Sequence, residues 1–476
     1  MKQPFTGSIS HFNKSANTTM KRITTFLLGV LAAMTVQAQI SQNVSLIGQW
    51  TDTTLHVFNG NQYNEVWSFV EGDVEYAAIG TTEGVSIIDL SDPANPVEVD
   101  RVVGETNEAI HRDMHDHEGY LYMVCDQGTS RLKIVDLSYL PDSVHVVYDS
   151  PEHVGRVHNI FIDSTSGHLY CFAAKDSADN GLPAVVALEF DPQTNSVAEL
   201  GVFEAGSQFI QSHDGYVVND TAIVNMWNDG LYMIDFTDPQ NPATIGQFPF
   251  YSGTIANHSG WPDPERGLYV MADEWIGTEL KVMDISDPSN ISLIHSFLPG
   301  SNMDIIPHNL MVNGRFLFLS AYTDGLRIFD LYDPQNPVLT GFYDTYPGSD
   351  MDIFEGAWGI NSLLPSGLIL ISDQRYGLFI FDVGPALARD EENVLQAEVW
   401  PVPARNKVRL QWSAEDLQAA AFRLKTVDGR VLEVRELEAF GEAALEVDLS
   451  GVPAGMYLLE VEGENGQRIV EKVIRE

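Results

Sequence analysis

Residues 325–338 read GLRIFDLYDPQNPV, and this stretch decides the fold. A mostly apolar, β-favouring run ends on an acid, and Asp-Pro and Asn-Pro then fix a turn before the next strand. The phrase returns as GVSIIDLSDPANPV from Gly84, GLYMIDFTDPQNPA from Gly230 and LKVMDISDPSNI from Leu280. Looser copies are LKIVDLSYLPDSV from Leu132, VVALEFDPQTNSV from Val185 and GLFIFDV from Gly377. The acids that close these runs are Asp89, Asp136, Glu189, Asp235, Asp284, Asp330 and Asp382, at intervals of 47, 53, 46, 49, 46 and 52 residues. Units of this length are those of a four-stranded propeller blade.

The sixth unit shows the four strands: HNLMVNG, RFLFLSAY, LRIFDLY and VLTGFYD, separated by Asn313-Gly314, a turn at Thr323 to Gly325, and DPQNP. The seventh unit stops after its third strand at Asp382. VSLIGQW from Val44 resembles NPATIGQF from Asn241, so the N-terminal segment supplies the missing outer strand. The expected fold is all-β, a seven-bladed propeller closed by an N-terminal strand, with no large open edge.

A smaller unit follows. RLQW, FRLKTV, MYLLEV and RIVEKVI alternate in polarity and are punctuated by Asp428-Gly429 and Asn465-Gly466, the pattern of a small β-sandwich. At the other end, Lys21 and Arg22 lead an apolar run over residues 23–36 that closes on Ala38, an export signal for which Met20 is the natural start. The expected domains are a leader at 1–38, the propeller at 39–385, a linker at 386–393 and the sandwich at 394–476. No later segment reads as a transmembrane helix.

The net charge of −41, from 67 acidic against 26 basic residues, argues against nucleic acid and anionic membranes as partners. The two cysteines, Cys125 and Cys171, read as buried free thiols.

The closing acids and the Asp-Pro pairs at Asp92, Asp238, Asp287 and Asp333 read as turn formers. The histidines are less uniform in meaning. Aligning the units puts His115, His158, His213, His258 and His308 at one position of the inner strand, with Trp67 and Trp358 there in the first and last units. That set is the expected ligand-binding face at one channel mouth, unless the histidines form the scaffold network that a recurrent residue often does. Turn acids Asp126, Asp176, Asp229, Asp273, Asp324 and Asp373 belong to the same face. EAIHRDMHDHE supplies His111, Asp113, His115 and His117, the expected local site for a divalent metal. DEWIGTE around Trp275 and the connection around Asp350 break the repeat and offer acidic and aromatic side chains to a ligand.

The repeats resemble the LVIVD repeat of exported proteins of the choice-of-anchor B family, over nearly all of residues 44–383. That resemblance implies a propeller and a surface address, and no general catalytic activity. The segment from Val394 resembles the C-terminal sorting domain of type IX secretion substrates, through VWPVPARNKVRLQW and Gly451, Pro453, Gly455 and Tyr457. Val402 stands where Asn is usual in that family. The resemblance implies export through the periplasm to the cell surface or medium, with the type IX machinery as partner.

No G-x-S-x-G elbow, H-E-x-x-H helix or phosphate loop is present. The expected function is therefore binding of an extracellular polysaccharide, peptide or protein. A metal-dependent hydrolase or lactonase at the channel mouth is the alternative, and a structural surface component is the third reading.

Overall fold

The computed structural model describes residues 41–206, 212–249, 256–300, 305–347, 354–388, 397–412, 419–426, 431–436, 444–463 and 468–475. The leader and the Asp428-Gly429 and Asn465-Gly466 turns lie outside the described residues. The regular structure of the described chain is antiparallel β-strand apart from a 3-10 turn at Pro288–Asn290 and one short α-helix at Gly384–Leu387.

Before that helix stand seven sheets built on four strands each. Their inner strands are Tyr63–Glu71, Arg112–His117, Asn159–Ile162, Asp214–Val218, Asn257–Asp263, Leu310–Asn313 and Ala357–Asn361. They touch in cyclic order, and the last touches the first. This is a β-propeller. Side chains from facing sheets fill the space between them; Trp50, Tyr63, Ile79, Leu370 and Ile380, for example, share one buried cluster across the junction of the last sheet with the first.

The N-terminal strand Ser45–Trp50 pairs with Gly377–Asp382 as the outer strand of the last sheet, as its resemblance to NPATIGQF requires. A further strand, Ser41–Gln42, extends the sixth sheet beside Val338–Tyr343, which the sequence reading did not anticipate.

The repeated phrase works as a hinge of each sheet. Asp89, Asp136, Asp235, Asp284, Asp330 and Asp382 each accept a hydrogen bond at Oδ1 from the backbone N–H two residues on. Asp92, Asp238, Asp287 and Asp333 do the same inside the proline turn. Both sets are turn formers. Directly opposite, the outer strand of every sheet slips register by a β-bulge, which adds twist.

Sheet-to-sheet contact then depends on glycine. A Cβ at Gly201 would collide with the Pro239 carbonyl of the next sheet, and one at Gly246 with the Pro288 carbonyl. Gly48 makes the same approach to Pro93, across the ring junction. The IGQ shared by the N-terminal strand and the fourth sheet is thus a docking surface.

The C-terminal segment forms a three-stranded and a four-stranded sheet. Val408, Leu410, Phe422, Leu445, Val447, Leu459 and Ile469 bury one face of each in a common core, giving the sandwich.

Gly48→Ala should destabilise the protein by about 1–3 kcal/mol, as overpacking does, and by as much as Gly246→Ala. Denaturant melts of the two variants check this. Loss in Gly246→Ala alone would mean that the N-terminal strand does not close the ring.

Candidate functional site

Register decides which side chains enter the channel. The second strand of each sheet has one residue opposite the closing acid: Tyr120 faces Asp136, and Thr221 faces Asp235. Four residues further on, Val124 and Asn225 pair with Asp113 and Asp214 of the inner strands. These two acids therefore share one level of the channel, together with Glu65, Asn159, Ser259 and Asn309 around a cavity of about 60 Å³. That volume holds a few water molecules.

Just before this level the inner strands present a ring of aromatic side chains. His111 stacks on His158 with centroids 3.9 Å apart and planes at 10°. The succession continues from His158 to His213 at 4.3 Å, to His258 at 4.2 Å, to His308 at 4.5 Å and to Trp358 at 4.4 Å. Trp358 returns to His111 at 5.9 Å, so the ring closes on itself.

Two expected members are elsewhere. His115 and Trp67 lie one level deeper on the far side of the acids, stacked on each other at 4.0 Å and joined to Phe161, Tyr216 and Trp261. His111 takes the place assigned to His115. The cause is Arg112, which occupies the ring register in the second sheet but turns aside to donate to the carbonyls of Thr81 at 2.8 Å and Thr106 at 3.1 Å. The residue before it fills the gap.

The local metal set separates for the same reason. Asp113 accepts backbone N–H bonds from Met114 and Ile160, His115 sits in the deeper aromatic layer, and His117 lies against Gly167. His111, Asp113, His115 and His117 do not converge on one ion. Two other sets do bring donor atoms within 4.8 Å of one another: His111, Asp126 and His158, and His258, Glu274 and His308. Glu274 falls in DEWIGTE, but nothing in its spacing marked it as a partner of two distant histidines. Of the other turn acids, Asp176 is held by Asn180, Asp273 by Lys281, Asp324 by Arg327 and Asp373 by Thr345.

The ring is electrically neutral over most of its circumference. Burial pushes His308 down to about 3 and holds His111, His213 and His258 well below the usual imidazole value. His158 differs: burial opposes its charge, but the 2.7 Å bond to Asp126 and the fields of Asp126, Asp113 and Asp214 outweigh it and raise its pKa. His213 and His308 donate Nδ1–H to the carbonyls of the next ring residues, His258 at 3.2 Å and Trp358 at 2.8 Å. Neutral imidazoles so fixed keep Nε2 as a lone pair.

Below the ring, burial raises Asp113 and Asp214 to about 7 and Glu65 well above the ordinary carboxyl range. Asp214 keeps some surface toward the channel cavity, yet the surrounding protein still disfavours its charge. The two cysteines are free and buried, and burial raises both thiols.

Comparison with known proteins now joins the fold to an address. Residues 70–103, 268–298 and 307–345 match the LVIVD repeat, and residues 398–476 match the secretion system C-terminal sorting domain. The chain is an LVIVD-repeat propeller carrying a type IX sorting tail. That tail is recognised by the type IX secretion system, and it places this LVIVD propeller outside the cell or on its surface. No curated protein matches the chain. Among solved structures, it is similar to PorZ, a bacterial surface component of the type IX secretion system of Porphyromonas gingivalis, at 14% identity and a TM-score of 0.45. The match covers 90% of this chain and 61% of PorZ. The WD40 propeller domain of Doa1 is similar at 11% identity and a TM-score of 0.48, covering 71% of this chain and 97% of that one. The WD40 repeats of RRP9 align at 9% identity and a TM-score of 0.48, over 71% and 96% of the two chains. Among the described residues no helix is long and apolar enough to cross a membrane.

The raised carboxyls give a signed pH dependence. A folded pKa near 7 against an ordinary 3.8 means that the contribution of Asp113 is fully present below pH 4 and is lost as pH rises through 7. Asp113→Asn should therefore gain stability relative to the unaltered protein between pH 5 and pH 8, by denaturant midpoint. Parallel curves would contradict the burial of this carboxyl.

Proposed function

We propose that this protein is an exported propeller that binds an extracellular ligand across the mouth of its channel, on the face that carries the imidazole ring. An exposed aromatic pair beside that ring carries the reading. Trp275 and Phe354 are 46% and 45% exposed, with ring centroids 6.2 Å apart. Phe354 packs 5.4 Å from Tyr322, which lies 5.0 Å from His308 of the ring.

Aromatic surface of this size usually goes inside, and a pair left at the rim of a polar concavity suits recognition. Both residues sit in segments that break the repeat, so scaffold geometry does not demand them. Their flat faces fit a sugar ring or an apolar peptide side chain, while the half-buried imidazoles of His158 and His213 supply polar contacts. Trp358 Nε1 is buried without a hydrogen-bond partner among the described residues.

In this reading the signal at 1–38 is removed, residues 39–385 do the binding, 386–393 are a tether and 394–476 direct secretion. A hydrolase at the same mouth is the second reading, favoured by the convergence of His258, Glu274 and His308.

The mature full-length chain, screened against glycan and peptide panels, tests the binding. Trp275→Ala and Phe354→Ala should each weaken a selected ligand about tenfold or more with the melting curve unchanged. Equal affinity in both variants and the unaltered chain would overturn the proposed platform.

A further inference from the structure

The two donor sets at the channel mouth differ in what their carboxylates already do. Asp126 accepts a 2.7 Å hydrogen bond from His158 Nδ1, and the neighbouring His111 ring lies parallel to His158 at 3.9 Å. That is a hydrogen-bonded imidazole–carboxylate pair with a stacked neighbour, in which His158 Nδ1 is already committed to Asp126, while Asp126 Oδ1 and His111 Nδ1 are buried without a partner among the described residues.

The second set has no such closure. Glu274 carboxylate oxygens stand 3.6 Å from His258 Nε2 and 3.8 Å from His308 Nε2, too far for hydrogen bonds. In a tetrahedral site with bonds of about 2.0–2.1 Å the donor atoms are about 3.4 Å apart, so each Glu274–imidazole distance is within a few tenths of an ångström of that spacing, and all the donor atoms lie within 4.8 Å of one another.

Hydrogen bonds already set the orientation of two of the three ligands, His308 and Glu274. His308 donates Nδ1–H to the Trp358 carbonyl at 2.8 Å, which leaves Nε2 unprotonated and aimed at Glu274. The Tyr322 hydroxyl donates to Glu274 Oε1, the outer hydrogen bond that ligating carboxylates commonly have. His258 and His308 are 3% and 2% exposed, and His258 Nδ1 is buried without a hydrogen-bond partner among the described residues. Burial keeps both imidazoles neutral, the form a metal needs.

We propose that His258, Glu274 and His308 hold one divalent transition-metal ion of the zinc class through the two Nε2 atoms and the carboxylate. Two imidazoles and one carboxylate select zinc, cobalt, nickel or copper over calcium and magnesium, which take oxygen ligands. Three protein donors leave a fourth position open. His213, its ring centroid 4.2 Å from that of His258, and Tyr322 flank the site. The site shares the mouth with the proposed ligand platform but is read without any organic ligand, so failure of either leaves the other standing.

The test uses the mature full chain without a polyhistidine tag, stripped with chelator and titrated with zinc and with cobalt. One equivalent of metal should be retained after dialysis, with a higher melting temperature and cobalt d–d absorption of a four- or five-coordinate ion. Glu274→Gln and His308→Gln should lose that equivalent, Tyr322→Phe should weaken it about 10–100-fold, and His111→Gln should keep it. Tyr322→Phe leaves all three ligands in place, so it reads the site even where a ligand variant folds poorly. No retained metal and no thermal shift in the unaltered chain would overturn the proposal. So would retention by both Glu274→Gln and His308→Gln, or loss in His111→Gln alone.

Discussion

Everything at the channel mouth depends on how closely one sheet approaches the next, and that approach is set where an outer-strand glycine meets a proline carbonyl. At Gly201, Gly246 and Gly48 there is no room for a β-carbon. The bulge beside each glycine and the Asp-Pro turn that receives it belong to one repeated device, with the aspartate of the Asp-Pro pair holding the turn from inside. Sheets wedged together in this way bring their inner strands into lateral contact around a narrow axis. Side chains at one level then have no choice but to stack on their neighbours.

That constraint explains the chemistry of the channel better than any single motif does. Five imidazoles packed at 3.9–4.5 Å cannot all carry charge, and burial keeps most of them neutral. The carboxylates below them are pushed toward protonation by the same lack of water. His158 is the exception because Asp126 reaches it. Two of the neutral imidazoles, His213 and His308, are oriented by Nδ1–H bonds to carbonyls, and carboxylates meet the ring at two places, Asp126 beside His111 and His158, and Glu274 beside His258 and His308.

The fold was legible because repetition amplifies weak signals. One copy of GLRIFDLYDPQNPV is an ambiguous strand and turn, but its recurrence near every 50 residues fixes strand order, and the missing outer strand of the last unit points to residues 44–50. The sorting tail was legible for the simpler reason that its glycine, proline and tyrosine positions serve turns, as when Tyr457 hydroxyl bonds the Pro453 carbonyl. The site was legible only in part. Alignment of the units points to His158, His213, His258, His308 and Trp358, which do stand in the ring, and also to His115 and Trp67, which lie in the deeper layer while His111 takes the ring position. The error is one of register, and register in the second sheet turns on Arg112 seeking the Thr81 carbonyl, a long-range contact that no local pattern encodes. Glu274 was hidden likewise, since its partners lie 16 residues before and 34 residues after it in the chain.

The central claim is that register gathers five imidazoles into one closed ring, mostly neutral, with Nε2 free on His213 and His308, whose Nδ1–H groups bond carbonyls. Long-range proton–nitrogen correlation spectra of ¹⁵N-histidine-labelled protein test it most directly. The account predicts that His213 and His308 show the Nδ1–H tautomer and titrate well below pH 6.5, while His158 titrates above it. Ordinary titration of His213 and His308 near pH 6.5, with mixed tautomers, would contradict it.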